Sequence, residues 1–255
     1  MYAWKCWRDS RDRVILYAAA SLAVGILTGT TISSWYRVQV AWEWFVRPRN
    51  QGWNPALWAW SSGMISLDEF LSPAALWAAL SLGAVSVGRE YGSGAMPFLL
   101  TRPASRKAFV WMDWGLGLTQ MAAILTMMVV GILPFLGYTS RAYVWRSWPL
   151  LPGCLVIGAA LYGLTHFATA LTGSSMKGLS ATAAAILVYL LSPGALDEWW
   201  HFSTPLKFKN WSLNVSAWDW HNDRFILHGW PLLMWLLVAL AFPLLSQFVL
   251  ERREV

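Results

Sequence analysis

Of the 255 residues, 57% are hydrophobic and 13% are charged, against about 25% charged in an ordinary soluble domain, and that excess of apolar surface excludes a soluble globular protein. The formal net charge of +6 finds no soluble module carrying a basic stripe, so it reads as membrane topology and contact with anionic lipid rather than nucleic-acid binding. A bilayer core about 30 Å thick takes about 20 mostly apolar residues per spanning helix; six runs qualify, and the expected fold is an all-α polytopic membrane protein forming one transmembrane domain over residues 1–255.

Residues 1–13 set Trp4 and Trp7 three apart, with Lys5, Arg8, Asp9, Arg11 and Asp12 mostly around the other side. This is the pattern of an amphipathic helix lying in the inner interface. Charge interleaved with tryptophan, with no small-residue cleavage site after it, argues against a signal peptide, and the first span is expected to remain as an anchor. The spans are expected at about 14–33, 70–88, 112–135, 150–171, 179–196 and 230–250. The fifth holds Pro193 and Gly194 near its end and is expected to be short, tilted or broken; Pro134 and Pro243 are expected to bend the third and sixth.

An even number of spans puts both termini on one side. With that side cytoplasmic, 11 of the 19 basic residues lie inside, among them Arg8, Arg11, Arg13, Arg106, Lys107 and Arg252, clustered near span ends as the positive-inside rule requires. The connector 34–69, the next outer loop and the outer loop 197–229 then hold 13 of the 20 tryptophans. Indole rings settle at the headgroup boundary, so these loops read as an aromatic belt or as an entry surface for lipid or an amphiphile. Val38, Val40, Trp42 and Trp44 alternate with Arg37, Gln39, Ala41 and Glu43, which suggests a short strand or extended interfacial segment, the alternative being a helix that extends beyond span one. Cys6 and Cys154 fall on the leader and inside span four, too far apart for a disulfide.

Between spans two and three, Glu90 to Arg106 reads EYGSGAMPFLLTRPASR. Gly92 and Gly94 loosen the backbone, Ala95 to Thr101 make two apolar helical turns, and Pro103 ends them. An apolar helix exposed there wants a partner groove. The spelling resembles the first cytoplasmic loop of the permease subunits of ABC transporters of the type-2 exporter class, E-x-x-x-G-T-x-x-x-L-L-x-x-P-x-S-R. Glu90, Gly94, Leu99, Leu100, Pro103, Ser105 and Arg106 match; Ala95 replaces the usual threonine, and Pro97 inside the helix departs from the pattern.

The resemblance implies that the connector 89–108 carries a coupling helix docking on an ATP-hydrolysing subunit, with Gly94, Ala95, Met96, Phe98, Leu99 and Leu100 forming it and Glu90 and Arg106 anchoring its ends. No G-x-x-x-x-G-K-[ST] sequence occurs, so the chain is not itself the enzyme: the ATPase is a separate polypeptide, and ATP and Mg belong to it. Family architecture implies two permease chains, identical or related, with two ATPase subunits in a bacterial plasma membrane, both permease termini cytoplasmic. Gly25 with Gly29, and Ala159 with Gly163, are candidate close-packing pairs for such a dimer.

Polar residues within spans are the default functional candidates of a membrane protein. Asp113, near the cytoplasmic start of span three, reads as an interfacial, solvated carboxylate rather than a buried proton carrier. Gln120, Thr165 and His166 lie deeper and either bond between helices or line a path. So little buried charge argues against a proton-driven carrier and suits an exporter of hydrophobic or amphipathic cargo. Asp219, His221 and Asp223 in DWHND read as a solvated loop rather than a metal site. The competing classes are a membrane-embedded enzyme acting on lipid, which would need a nucleophile and base together that the sequence does not reveal, and a membrane scaffold or sensor that moves no cargo.

Overall fold

The structure, a computed structural model, describes residues 11–12, 14–30, 74–88, 90–92, 94, 106–136, 150–199, 216–219 and 224–252. Its helices are α1 (Val14–Thr30), α2 (residues 74–88, continuing at 90–92), α3 (Arg106–Leu136), α4 (Leu150–Thr172), α5 (Ser175–Trp199) and α6 (Gly229–Arg252). A two-stranded antiparallel hairpin, β1 (Ser216–Asp219) and β2 (Arg224–Leu227), pairs Ser216 with Leu227 and Asp219 with Arg224. The six helices agree with the expected helical fold, and the short hairpin is an element the sequence reading did not include.

Three helices, over Lys107–Ile132, Leu151–Thr172 and Gly229–Arg252, are long and apolar enough to cross a membrane, and shorter apolar helices cover Val14–Thr30 and Ser175–Val188. The described chain is thus that of a helical membrane protein. α3 is 31 residues long, about 46 Å at 1.5 Å per residue, and starts six residues before the expected apolar run. Its extra first turns are held because Val110 is fully buried, in a cluster with Val87, Ala170 and Leu250 and flanked by Phe109. α5 runs on through Pro193 and Gly194 rather than stopping there.

Side-chain pairings fix the helix directions. Asp113 stands against His166, Gly117 against Tyr162 and Met121 against Gly158, so α3 and α4 are antiparallel. Ala75 lies near Gly158 and Gly83 near Thr165 and Tyr162, so α2 runs parallel to α4, and its Gly88 meets Ser175 at the start of α5; His166 against Ser246 and Gly163 against Ala239 and Phe242 set α6 parallel to α4 as well. α4, the most enclosed of the three long helices, is the hub, and α6 is the most exposed. α4 ends in a two-residue turn into α5. Gly173 adopts φ 68°, a left-handed conformation that penalises a Cβ, and its N–H bonds the Thr169 carbonyl at 2.9 Å, capping α4.

Small residues do the close packing. Gly25 of α1 meets the α3 backbone at Met128 and Gly131, and Gly163 of α4 meets Phe242 of α6. Pro243 deprives the Ala239 carbonyl of its helical donor, and that carbonyl faces Gly163. Gly25 and Gly163, considered above as contacts with a second chain, are therefore occupied within this one. The large apolar side chains point the other way: Leu27, Trp77, Val188 and Trp230 are exposed, the arrangement of a bundle that faces lipid.

Candidate functional site at the α3–α4–α6 junction

Among the described residues the bundle holds two buried apolar clusters. The larger contains Met121, Leu125 and Met128 of α3 with Ala78 and Ala79 of α2 and Tyr162 of α4; the smaller is the Val110 cluster near the α2 end. Between them in sequence, on α3, α4 and α6, lie Asp113, Thr165, His166, Thr169 and Ser246, all buried. Helical spacing brings this about: His166 and Thr169 are three apart and therefore share a face of α4, while Ser246 lies one turn beyond Phe242 on α6.

His166 is the centre, with no exposed surface. Its Nδ1 lies 3.0 Å from Ser246 Oγ, whose own hydroxyl donates to the Phe242 carbonyl at 2.9 Å. His166 Nδ1 and Ser246 Oγ are therefore hydrogen-bonded across α4 and α6, with the direction set by the ring tautomer. On the other side of the ring, Nε2 stands 3.3 Å from Asp113 Oδ2, within ion-pair reach but without the alignment of a hydrogen bond, and neither atom has another hydrogen-bond partner among the described residues. The Tyr162 hydroxyl, on the same face of α4, donates to the Asp113 main-chain carbonyl at 3.2 Å. Three helices are thus joined through one imidazole.

Asp113 is 7% exposed, so the expectation of a solvated interfacial carboxylate is corrected. The longer α3 places it two turns inside the helix, against α4. Of the three deeper polar residues, Thr165 turns its hydroxyl back onto the Leu161 carbonyl at 2.8 Å, Gln120 is buried one helical stretch further along α3, and His166 makes the cross-helix links. Ser246 and Tyr162 were not singled out from sequence. A lone serine inside an apolar span was the available signal for the first; nothing in spacing marked the tyrosine.

The chain Ser246, His166, Asp113 contains a hydroxyl, a base and a carboxylate in contact, which an embedded hydrolase would require. Its surroundings do not suit nucleophilic attack. Ser246 is fully buried, its hydroxyl donates to its own helix, and it sits in mid-helix, where the backbone N–H groups that would stabilise an oxyanion are already bonded to carbonyls one turn back.

The connector's described residues lie at the opposite side of the small apolar cluster. Glu90, in the last turn of α2, is 1% exposed, a buried polar group where the connector begins. Gly94 follows at φ 69°, exposed, its N–H bonding the Tyr91 carbonyl at 3.2 Å, and Arg106 begins α3. Ala95, Met96, Phe98, Leu99, Leu100 and Pro103 lie outside the described residues, as do Trp4, Trp7 and Arg8 of the leader, the alternating segment 38–44, and His221 and Asp223 of DWHND.

No protein-family model, curated protein or solved structure matches the chain. The site must be read from its own geometry. Among the described residues no group of three His, Cys, Asp or Glu side chains could hold a metal ion, and the junction's contacts fasten α3, α4 and α6 to one another.

Proposed function

We propose that this chain is the permease subunit of an ATP-driven ABC exporter of the type-2 class, crossing a bacterial plasma membrane six times with both termini cytoplasmic. The observation that carries the reading is the tethering of the Glu90–Arg106 connector. Tyr91 at its start and Phe109 just after it pack on one cluster with Ala170 and Leu250, so the motif-bearing segment leaves and re-enters the bundle at one end. That end also carries Lys107, Lys177 and Arg252, all exposed, as a cytoplasmic face should. The alternating directions of α2, α3 and α4 support a serpentine path through the bilayer.

In this reading a coupling helix near residues 94–101 docks on a separate ATPase, which binds ATP and Mg. Closure of two ATPase subunits displaces that helix and shifts a pair of permease bundles between inward- and outward-open packing. The cargo is hydrophobic or amphipathic, in keeping with an interior holding few charges.

Mild-detergent purification of the tagged chain from its native host, with mass spectrometry and an ATPase assay, tests the proposal. A P-loop ATPase is expected to co-elute with the wild type and to be lost from Leu99→Asp/Leu100→Asp protein that still inserts. Absence of any ATPase under every mild condition would remove the transporter's engine and overturn the reading; an ATPase that binds without moving cargo would leave a scaffold or sensor.

A further inference from the structure

We propose that the open face of α4 between α5 and α6 binds one anionic phospholipid, its phosphate held by Lys177 and Arg252 and an acyl chain laid over Leu171, Phe167 and Leu164. The inference concerns the described bundle alone and does not depend on the transporter reading.

The furrow follows from how α4 spends its faces. Tyr162 and His166 turn to α3, Gly163 to Phe242 of α6, and Thr169 to Gly178 in the first turn of α5. At about 100° per residue, Leu164, Phe167 and Leu171 fall on the side opposite Tyr162, His166 and Thr169. Leu164 and Phe167 are half-buried and Leu171 is exposed, although α4 is the most enclosed of the three long helices. α5 and α6 both pack on α4 and share no extended contact with each other among the described residues, so the strip between them faces lipid. The Phe167 and Phe242 rings, 6.1 Å apart, close it on the α6 side. Leu164 to Leu171 covers about 10 Å of helix, within the roughly 15 Å of hydrocarbon in one leaflet.

The two cations stand at one end of that strip. Lys177, exposed, precedes the Gly178 that packs on Thr169, and Arg252, exposed, lies two residues past Leu250, which is buried in one cluster with Ala170. Both are therefore level with the last turn of α4, where Leu171 lies. Phe242, Leu245 and Arg252 are three and seven residues apart and share the side of α6 turned to the furrow. The Arg252 guanidinium rests 4.0 Å over the Phe248 ring, which holds it along the helix. Glu251 falls about 100° away, on the side of Gln247, whose amide donates to it at 2.9 Å. A guanidinium and an ammonium over an apolar floor complement a phosphate carrying acyl chains. A second copy related by a two-fold axis along the membrane normal would instead bring its own Lys177 and Arg252 to the same end, like charge against like. Lys107 lies at this end too, on α3, across the opposite face of α4, and is outside the site.

The test titrates the full chain in mild detergent with phosphatidylglycerol or phosphatidylcholine of identical acyl chains, counting bound lipids by native mass spectrometry. The wild type is expected to bind one phosphatidylglycerol roughly thirtyfold more tightly than phosphatidylcholine, the preference two basic side chains supply. Lys177→Gln/Arg252→Gln should bring the two lipids to equal affinity, and Lys107→Gln should keep the preference. Leu171→Glu, at an exposed position, sets a carboxylate between the cations and should abolish the preference with both still present. Equal affinities in the wild type, or a loss in Lys107→Gln matching that of the double variant, overturns the site. Displacement of the lipid by inorganic phosphate alone, or by formation of a dimer, overturns the assignment of its occupant.

Discussion

Replacing Gly131 with alanine probes the crossing of α1 and α3. A Cβ built on Gly131 would sit 2.6 Å from the Leu22 carbonyl oxygen, 3.1 Å from Ile26 N and 3.2 Å from Gly25 C, all backbone atoms that cannot turn aside. Restoring a van der Waals separation of about 3.5 Å would push the helices roughly 0.9 Å apart, and a gap of that order forfeits a quarter to a half of each dispersion contact along the seam. Overpacking a close-packed site costs about 1–3 kcal/mol, and the upper part of that range applies where both walls are backbone. Gly115 on the same helix is the control, since nothing lies within 4 Å of its added Cβ; alanine there should be neutral or stabilise by up to about 1 kcal/mol through helix propensity. Equilibrium unfolding in mixed micelles, followed by tryptophan fluorescence, measures both. Gly131→Ala as stable as the wild type, or an equal loss in Gly115→Ala, would refute the crossing.

His166→Ala, which empties a fully buried site and removes the bond to Ser246 Oγ, should cost about 1–3 kcal/mol, whereas Asp113→Leu/His166→Leu should lose less than the sum of its single variants in the same unfolding assay. Tyr162→Phe, which deletes the 3.2 Å bond to the Asp113 carbonyl, should cost about 0.5–1.5 kcal/mol. Gly173→Ala meets the left-handed conformation at φ 68° and should lower stability by about 1–2 kcal/mol. Cys154, buried in α4, should resist a membrane-permeant maleimide in a Cys6→Ser background until the bundle is denatured, as read by mass spectrometry.

Helices with uninterrupted apolar runs were legible. The run expected at 150–171 is the helix Leu150–Thr172, and the one expected at 230–250 is Gly229–Arg252. α3 was misjudged at its start, because Arg106 and Lys107 read as loop when the helix continues through them to bury Val110. That error carried Asp113 to the wrong environment. Its partner lies 53 positions away on another helix, and periodicity says nothing about which polar groups meet across a bundle. The same gap explains Gly25 and Gly163: small-residue spacing shows that a face packs closely but not whether the neighbour belongs to the same chain. The hairpin was missed because four-residue strands among tryptophans carry little alternation.

A bundle with glycine and alanine at its seams and leucine, valine and tryptophan on its outer surface reverses the usual pattern of mutational tolerance. In a soluble protein the large apolar side chains are constrained and the surface drifts. Here Leu27, Val188 and Leu244, exposed, can exchange among apolar types at little cost, while the residues with the smallest side chains, Gly131, Gly163 and Ala79, admit almost no replacement. Random mutagenesis should therefore find its intolerant positions where the sequence looks plainest.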